Sequence, residues 1–129
     1  MINFLNNKQK KLRLDFINLL MQNKKYHIGG SLSCLDIMVC LFYKFIDLKK
    51  KNRDFFLLSK GHALANLYLI MLDQKLIQKG KFFEGFNNFD LGGQLDVFKY
   101  KELIDWNTGS LGHSLGVAIG LAIGNPKKK

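Results

Sequence analysis

The run Phe55-Phe56-Leu57-Leu58, followed by Ser59-Lys60-Gly61-His62 and then by helically spaced Leu64, Leu67, Tyr68 and Met71, is what most restricts the fold of this chain. A short apolar run bounded by polar residues suits a buried strand. The glycine makes a tight turn, and Ala63 to Leu72 has helical periodicity. Strand, glycine turn and helix in that order predict an α/β layer with a parallel sheet.

The flanking segments predict mostly helix. From Lys8 to Asn23, Leu12, Phe16, Leu19 and Leu20 recur on one helical face, with Lys10, Lys11, Asp15 and Asn18 largely elsewhere. Tyr26 to Ser31 reads as a loop, because Gly29 and Gly30 permit unusual backbone angles. Ser33, three residues before Asp36, is a weak variant of the capping box and would start a second helix. Cys34 to Ile46 is apolar enough for that helix to be buried on most sides, and Lys49 to Arg53 interrupt the pattern. Between Asp73 and Asp105, Phe82, Phe83, Phe86 and Phe89 alternate with glycine and asparagine, which predicts a loop and short helix. Thr108-Gly109-Ser110-Leu111-Gly112-His113 is a second glycine turn. The helix after it carries Gly116, Gly120 and Gly124 four apart, a spacing that predicts close backbone packing on one face.

Composition narrows the function classes. Hydrophobic residues make up 47% of the 129, which excludes a disordered chain and allows one domain, or a piece of one, over 1–129. The formal charge of +10 suits anionic partners such as phosphorylated small molecules. The lysines cluster at element ends, however, and the aromatic residues do not alternate with them as a stacking platform would, so specific nucleic-acid binding is not expected. Cys34 and Cys40, six apart, would sit about 9 Å apart along a helix, too far for a disulfide, and are expected to be reduced core residues of a cytoplasmic protein. No signal peptide is evident, and the uncharged stretch Ile37–Tyr43 falls short of the ~20 residues that span a bilayer, so no membrane association is expected.

Each of the three histidines adjoins a glycine turn: His27 before Gly29-Gly30, His62 after Gly61 and His113 after Gly112. A lone histidine is more often structural than catalytic. A histidine at an element end faces a cleft more readily, titrates near neutral pH and donates to phosphate oxygens. Free amides at helix starts, as after Gly61 and within Gly109–Gly112, form anion sites. Neither turn matches a dinucleotide or phosphate-loop fingerprint. Asp36, Asp54, Asp90, Asp96 and Asp105 are scattered and read as caps and surface groups.

Three strings, His27-Ile-Gly-Gly-Ser-Leu-Ser, Leu58-Ser-Lys-Gly-His62-Ala and Thr108-Gly-Ser-Leu-Gly-His, resemble in order and separation the opening motifs of transketolases. The likeness is strongest to the split type, whose halves are separate chains, and runs from about Lys8 to Gly124. It implies the N-terminal portion of the thiamine-diphosphate-binding α/β fold, helix-rich over this stretch, and transfer of a two-carbon ketol unit between sugars. By the same resemblance His62 contacts the cofactor diphosphate, Gly109, Ser110, Leu111 and Gly112 line the cofactor, and His27 is the catalytic, substrate-side imidazole. Gln94 stands where many members have a histidine, and with His113 is implied at the substrate; glutamine bonds a hydroxyl but shuttles no proton at neutral pH. A modified sugar is therefore conceivable beside the usual sugar phosphates.

In this family a strand with Gly-Asp-Gly and a later Asn follow the third motif and supply the Asp and Asn that hold Mg2+ on the diphosphate, and the 129 residues contain neither part. The resemblance thus implies a truncated chain, probed by sequencing the locus, that binds the cofactor poorly alone. Its expected partners are a C-terminal half or subunit, in a homo- or hetero-oligomer, and an anionic sugar. The alternatives are an inactive remnant kept for its partner surface, or a relative of deoxyxylulose-phosphate synthase.

Overall fold

The computed structural model describes residues 1–22, 27–78, 103–106 and 109–127. Three helices pack pairwise: α1 (Ile2–Gln22), α2 (Ile28–Cys40) and α3 (Leu64–Asp73). A fourth, α4 (His113–Gly124), follows the second glycine turn.

The apolar stripe anticipated in α1 is the one that is used. Leu12, Phe16 and Leu19 are buried and Leu20 packs at the edge of the core. Burying a leucine or phenylalanine side chain fully contributes about 1.5–3 kcal/mol, so Leu12 and Phe16 are major contributors to docking. The helix starts earlier than Lys8 because its first turns also have a partner. Phe4 meets the Tyr43 ring edge-on at 6.0 Å, and the Lys8 ammonium lies 5.1 Å from the centre of the Tyr43 ring.

In α3 every residue from Leu64 to Met71 is buried, so the helix has no solvent face over two turns. Its end is held electrostatically. Asp73 accepts from Lys8 at 2.5 Å, from Lys11 at 2.8 Å and from the Tyr43 hydroxyl, which ties α1 and the end of α2 to α3. Burial by itself would push the Asp73 carboxyl up; the bonds from Lys11, Lys8 and Tyr43 outweigh it and hold the carboxyl down at about 2.

Several sequence expectations give way. Helix α2 begins at Ile28 with His27 as its N-cap, so Gly29 and Gly30 lie inside the first turn and not in a loop. Ser33 is no cap: its hydroxyl donates back to the Gly30 carbonyl at 3.1 Å, and Asp36 pairs with Arg13 of α1 at 2.6 Å. Nor is α2 buried on most sides. Leu35, Met38 and Val39 face the core while Ile37 is exposed. The helix widens into a π turn, Leu41–Phe45, where the Ile46 amide donates to the Leu41 carbonyl and Gln74 Nε2 donates to the Phe42 carbonyl at 2.8 Å. Ile28–Phe45 is long and apolar enough, by length and composition alone, to cross a membrane; in this fold Leu35, Met38, Val39 and Phe42 belong to the core shared with α1 and α3. Cys34 and Cys40 are free thiols, each partly buried.

Phe55–Leu58 does not form a strand, and no strand occurs among the described residues. A strand exists only when a neighbour completes its ladder of hydrogen bonds. Here the Phe56 amide donates to the Asp105 carboxylate at 2.9 Å, and the Phe56 ring packs edge-on against Phe42, centroids 4.6 Å apart. Asp105 also accepts from the buried Arg53 at 2.6 Å, so it is a partly buried acceptor that joins distant segments and not the cap or surface group expected. The close packing anticipated along Gly116, Gly120 and Gly124 is also missing: among the described residues nothing lies within 4 Å of a Cβ built on any of the three. Leu115, Ile119 and Ile123 are exposed, and Ser114 is the buried residue of α4. The expected structure around Phe82–Phe89 falls outside the described residues.

The buried charges can be tested by unfolding. Because the folded state keeps Asp73 ionised where the unfolded chain takes up a proton, its stabilisation is complete above pH ~4, fades as pH falls through about 2, and amounts to about 2 kcal/mol. Urea unfolding of Asp73→Asn should show a deficit at neutral pH that narrows between pH ~4 and ~2. Asp105→Ala, which removes the carboxylate acceptor of both the Arg53 guanidinium and the Phe56 amide, should cost about 1.5–3 kcal/mol in the same assay at neutral pH.

Candidate functional site

The start of α2 and the turn before α3 lie against each other, and the site is built where they meet. His27 caps α2 with extended backbone angles and makes no side-chain cap bond. The amides of the first turn therefore have no side-chain acceptor from the cap, and the first helical bond runs from the Ser31 amide to the His27 carbonyl at 3.0 Å. The opposing element is the 3-10 turn Gly61–Ala63, closed by the Ala63 amide donating to the Lys60 carbonyl at 2.9 Å. It leads straight into α3, so the burial of α3 fixes where the turn points.

Among the described residues, polar contacts from the turn and from α3 reach the start of α2. Lys60 Nζ donates to Ser33 Oγ at 3.0 Å and to the Gly30 carbonyl at 3.4 Å. Ser31 Oγ donates to the His62 carbonyl at 3.5 Å, and Asn66 Nδ2, on a fully buried side chain of α3, donates to the Ser31 carbonyl at 2.7 Å. The Asn66 carbonyl oxygen is buried without a hydrogen-bond partner among the described residues. The rings of His27 and His62, 35 positions apart in the chain, meet edge to face with centroids 5.2 Å apart and planes at 72°.

Burial lowers the His62 imidazole below the ordinary histidine value, and the nearby positive charge of His27 and Lys60 lowers it further. Near neutral pH His62 is therefore a neutral imidazole with one N–H to donate. With uncapped amides, the positive end of the α2 dipole, two imidazoles and a lysine at one seam, the arrangement suits an anion. Among the described residues no cluster of three histidine, cysteine or acidic side chains is arranged to hold a metal ion.

Of the residues singled out from sequence, His27 and His62 are brought into contact. Gly109, Ser110, Leu111 and Gly112 form an exposed turn in which Gly112, at φ 88°, takes the left-handed conformation that glycine adopts without strain and caps α4. His113 is the exposed first residue of α4. No hydrogen bond, ion pair or ring contact among the described residues joins this turn to the histidine pair. Gln94 lies outside the described residues. Gly30, Ser31 and Lys60 were read from the sequence only as parts of turns and motifs, and Asn66 was passed over. Asn66 left one usable sign, an uncharged polar residue in the middle of the apolar run Leu64–Met71.

Comparison with known proteins gives the family. The family described as "Transketolase, thiamine diphosphate binding domain" matches residues 5–128. Among curated proteins, the chain is 29% identical to an apulose-4-phosphate transketolase subunit of Phocaeicola vulgatus, an alignment covering 88% of this chain and 42% of that one. It is 31% identical to the protein of the same name from Actinobacillus succinogenes, over 78% of this chain and 38% of that one. It is 30% identical to the transketolase of Mycoplasma genitalium, over 83% of this chain and 17% of that one. No solved structure matches the chain. It spans less than half the length of each of these relatives. With its glycine turns and their histidines read alongside a match over almost its whole length, the chain belongs to the transketolase family, as a member of its thiamine-diphosphate-binding domain.

Proposed function

We propose that this chain supplies part of the diphosphate-holding half of a two-carbon ketol transferase, with the diphosphate seated where the first turn of α2 meets His62. The observation that carries this reading is the contact of His27 with His62 across the uncapped start of α2. The donors there fit the group. Its oxygens would accept from the helix-start amides and the His62 N–H, beside the Lys60 ammonium, and the open space over Gly29 leaves room for approach.

When bound, thiamine diphosphate provides an electron sink for breaking the carbon–carbon bond beside a ketose carbonyl. The chain's own residues would do the rest. His62 and the α2 amides hold and orient the diphosphate. His27, next to His62 but nearer solvent, donates to a substrate hydroxyl or moves a proton there. Leu111 and the Gly109–Gly112 backbone would line the cofactor, with His113 and Gln94 on the substrate side. The substrate class is a sugar phosphate or modified sugar. Magnesium would take its ligands from outside these residues, and a second polypeptide would complete the site, a reading supported by two relatives that are named as subunits of a transketolase. The free thiols of Cys34 and Cys40 accord with a cytoplasmic enzyme.

Titration of the 129-residue protein with thiamine diphosphate tests the reading. Weak binding that changes little with magnesium is expected, and His62→Ala should weaken it by about tenfold or more, as loss of a hydrogen bond to a charged group does. Tight, magnesium-dependent binding would show that the metal ligands are present after all. Affinity untouched by His62→Ala would remove the diphosphate from this seam. Ketol transfer should appear only when a complementary polypeptide is added.

The electrostatic account has its own check. In NMR titrations His27→Ala and Lys60→Ala should each raise the His62 midpoint part of the way toward the ordinary histidine value, since burial is the larger cause and remains. No change in either variant would mean that His27 and Lys60 do not act on His62.

A further inference from the structure

We propose that Gly30 is a positioning residue, kept free of a side chain so that the His62 imidazole can lie directly on the backbone of α2. A Cβ built on Gly30 would stand 2.6 Å from Cδ2 and 2.8 Å from Nε2 of His62, distances that real Cβ contacts essentially never reach. The same Cβ would be 3.8 Å from the Cβ of His27, an ordinary contact, so the obstruction concerns the His62 ring specifically. The ring is a terminal group, and an alanine at this position would be accommodated by swinging it off its seat.

The main chain around the seat is fastened from three sides. Lys60 Nζ reaches the Gly30 carbonyl, Ser31 Oγ reaches the His62 carbonyl, and Asn66 Nδ2 holds the Ser31 carbonyl. These bonds fix the distance between the α2 backbone and the His62 backbone, and the missing Cβ then determines which ring position fits the gap. Gly29, one residue earlier in the same helical turn, has nothing within 4 Å of its own constructed Cβ. The two adjacent glycines therefore do different things: only Gly30 makes room for the ring.

That this ring position serves the cofactor rests on the function proposed above; the seat itself does not. The closing experiment separates the two. Gly29→Ala and Gly30→Ala bring the same gain in helix propensity, so their comparison isolates contact with the ring. In histidine-resolved NMR of the 129-residue protein, Gly30→Ala should move the His62 titration midpoint toward that of ordinary histidine. It should also shift the His27 ring resonances toward those seen in His62→Ala, because the edge-to-face partner has left. Gly29→Ala should leave both unchanged, and circular dichroism should report the same helix content in all variants. Thiamine diphosphate affinity should fall by about tenfold in Gly30→Ala, comparable to His62→Ala.

His62 and His27 signals in Gly30→Ala indistinguishable from the parent, or displaced equally by Gly29→Ala, would overturn the seat. If Gly30→Ala does not fold, recovery of the fold in Gly30→Ala/His62→Ala would trace the failure to the ring and support the seat, and a double variant that stays unfolded would overturn it. Should the parent protein fail to bind thiamine diphosphate at all, the proposed function falls, while the NMR comparison still decides the role of Gly30.

Discussion

The structure depends on enclosing a helix that has nowhere polar to turn. From Leu64 to Met71 α3 exposes almost nothing, so α1 and α2 must cover it, and their apolar stripes are oriented to do so. The ends of α3 then become fixed points. Its C-terminal Asp73 collects Lys8, Lys11 and Tyr43. Its N-terminus delivers His62 to the start of α2. Core packing and site geometry are thus two results of one constraint.

How far the sequence could be read follows the range of the interactions concerned. The helix α1 and its buried Leu12, Phe16 and Leu19, and the helix after Gly61, were legible because periodicity is local and the core uses the stripe it finds. Phe55–Leu58 was misread because a strand is a property of two segments. Apolar content suggested burial correctly for Leu58, but this segment bonds to a side chain, Asp105, about fifty residues away, and forms no strand ladder among the described residues. Gly29 and Gly30 were misread for the opposite reason. Glycine pairs usually mark loops, and nothing local reveals that a ring from another turn occupies the space above one of them.

Within the site, the two histidines that meet were legible as candidates and their partnership was not. Motif resemblance assigned them to one cofactor, which physical reading of isolated turns does not do. The polar fasteners, Lys60, Ser31 and Asn66, are spread over more than thirty positions and become meaningful only once α2 and α3 are docked. The turn at Gly109–Gly112 has the local chemistry expected of it, a left-handed glycine leading into a helix, without any described contact to the histidine pair.

The seam between α2 and α3 has a thermodynamic corollary. An anion gripped there touches both helices and loses its grip as soon as they part, so its binding energy adds to their docking energy. Occupancy should then be readable as heat resistance: the melting point of this helical core would climb with the concentration of whatever fills the seam. Protection from hydrogen exchange would deepen first in the opening turn of α2, the stretch whose amides have no other acceptor at their cap.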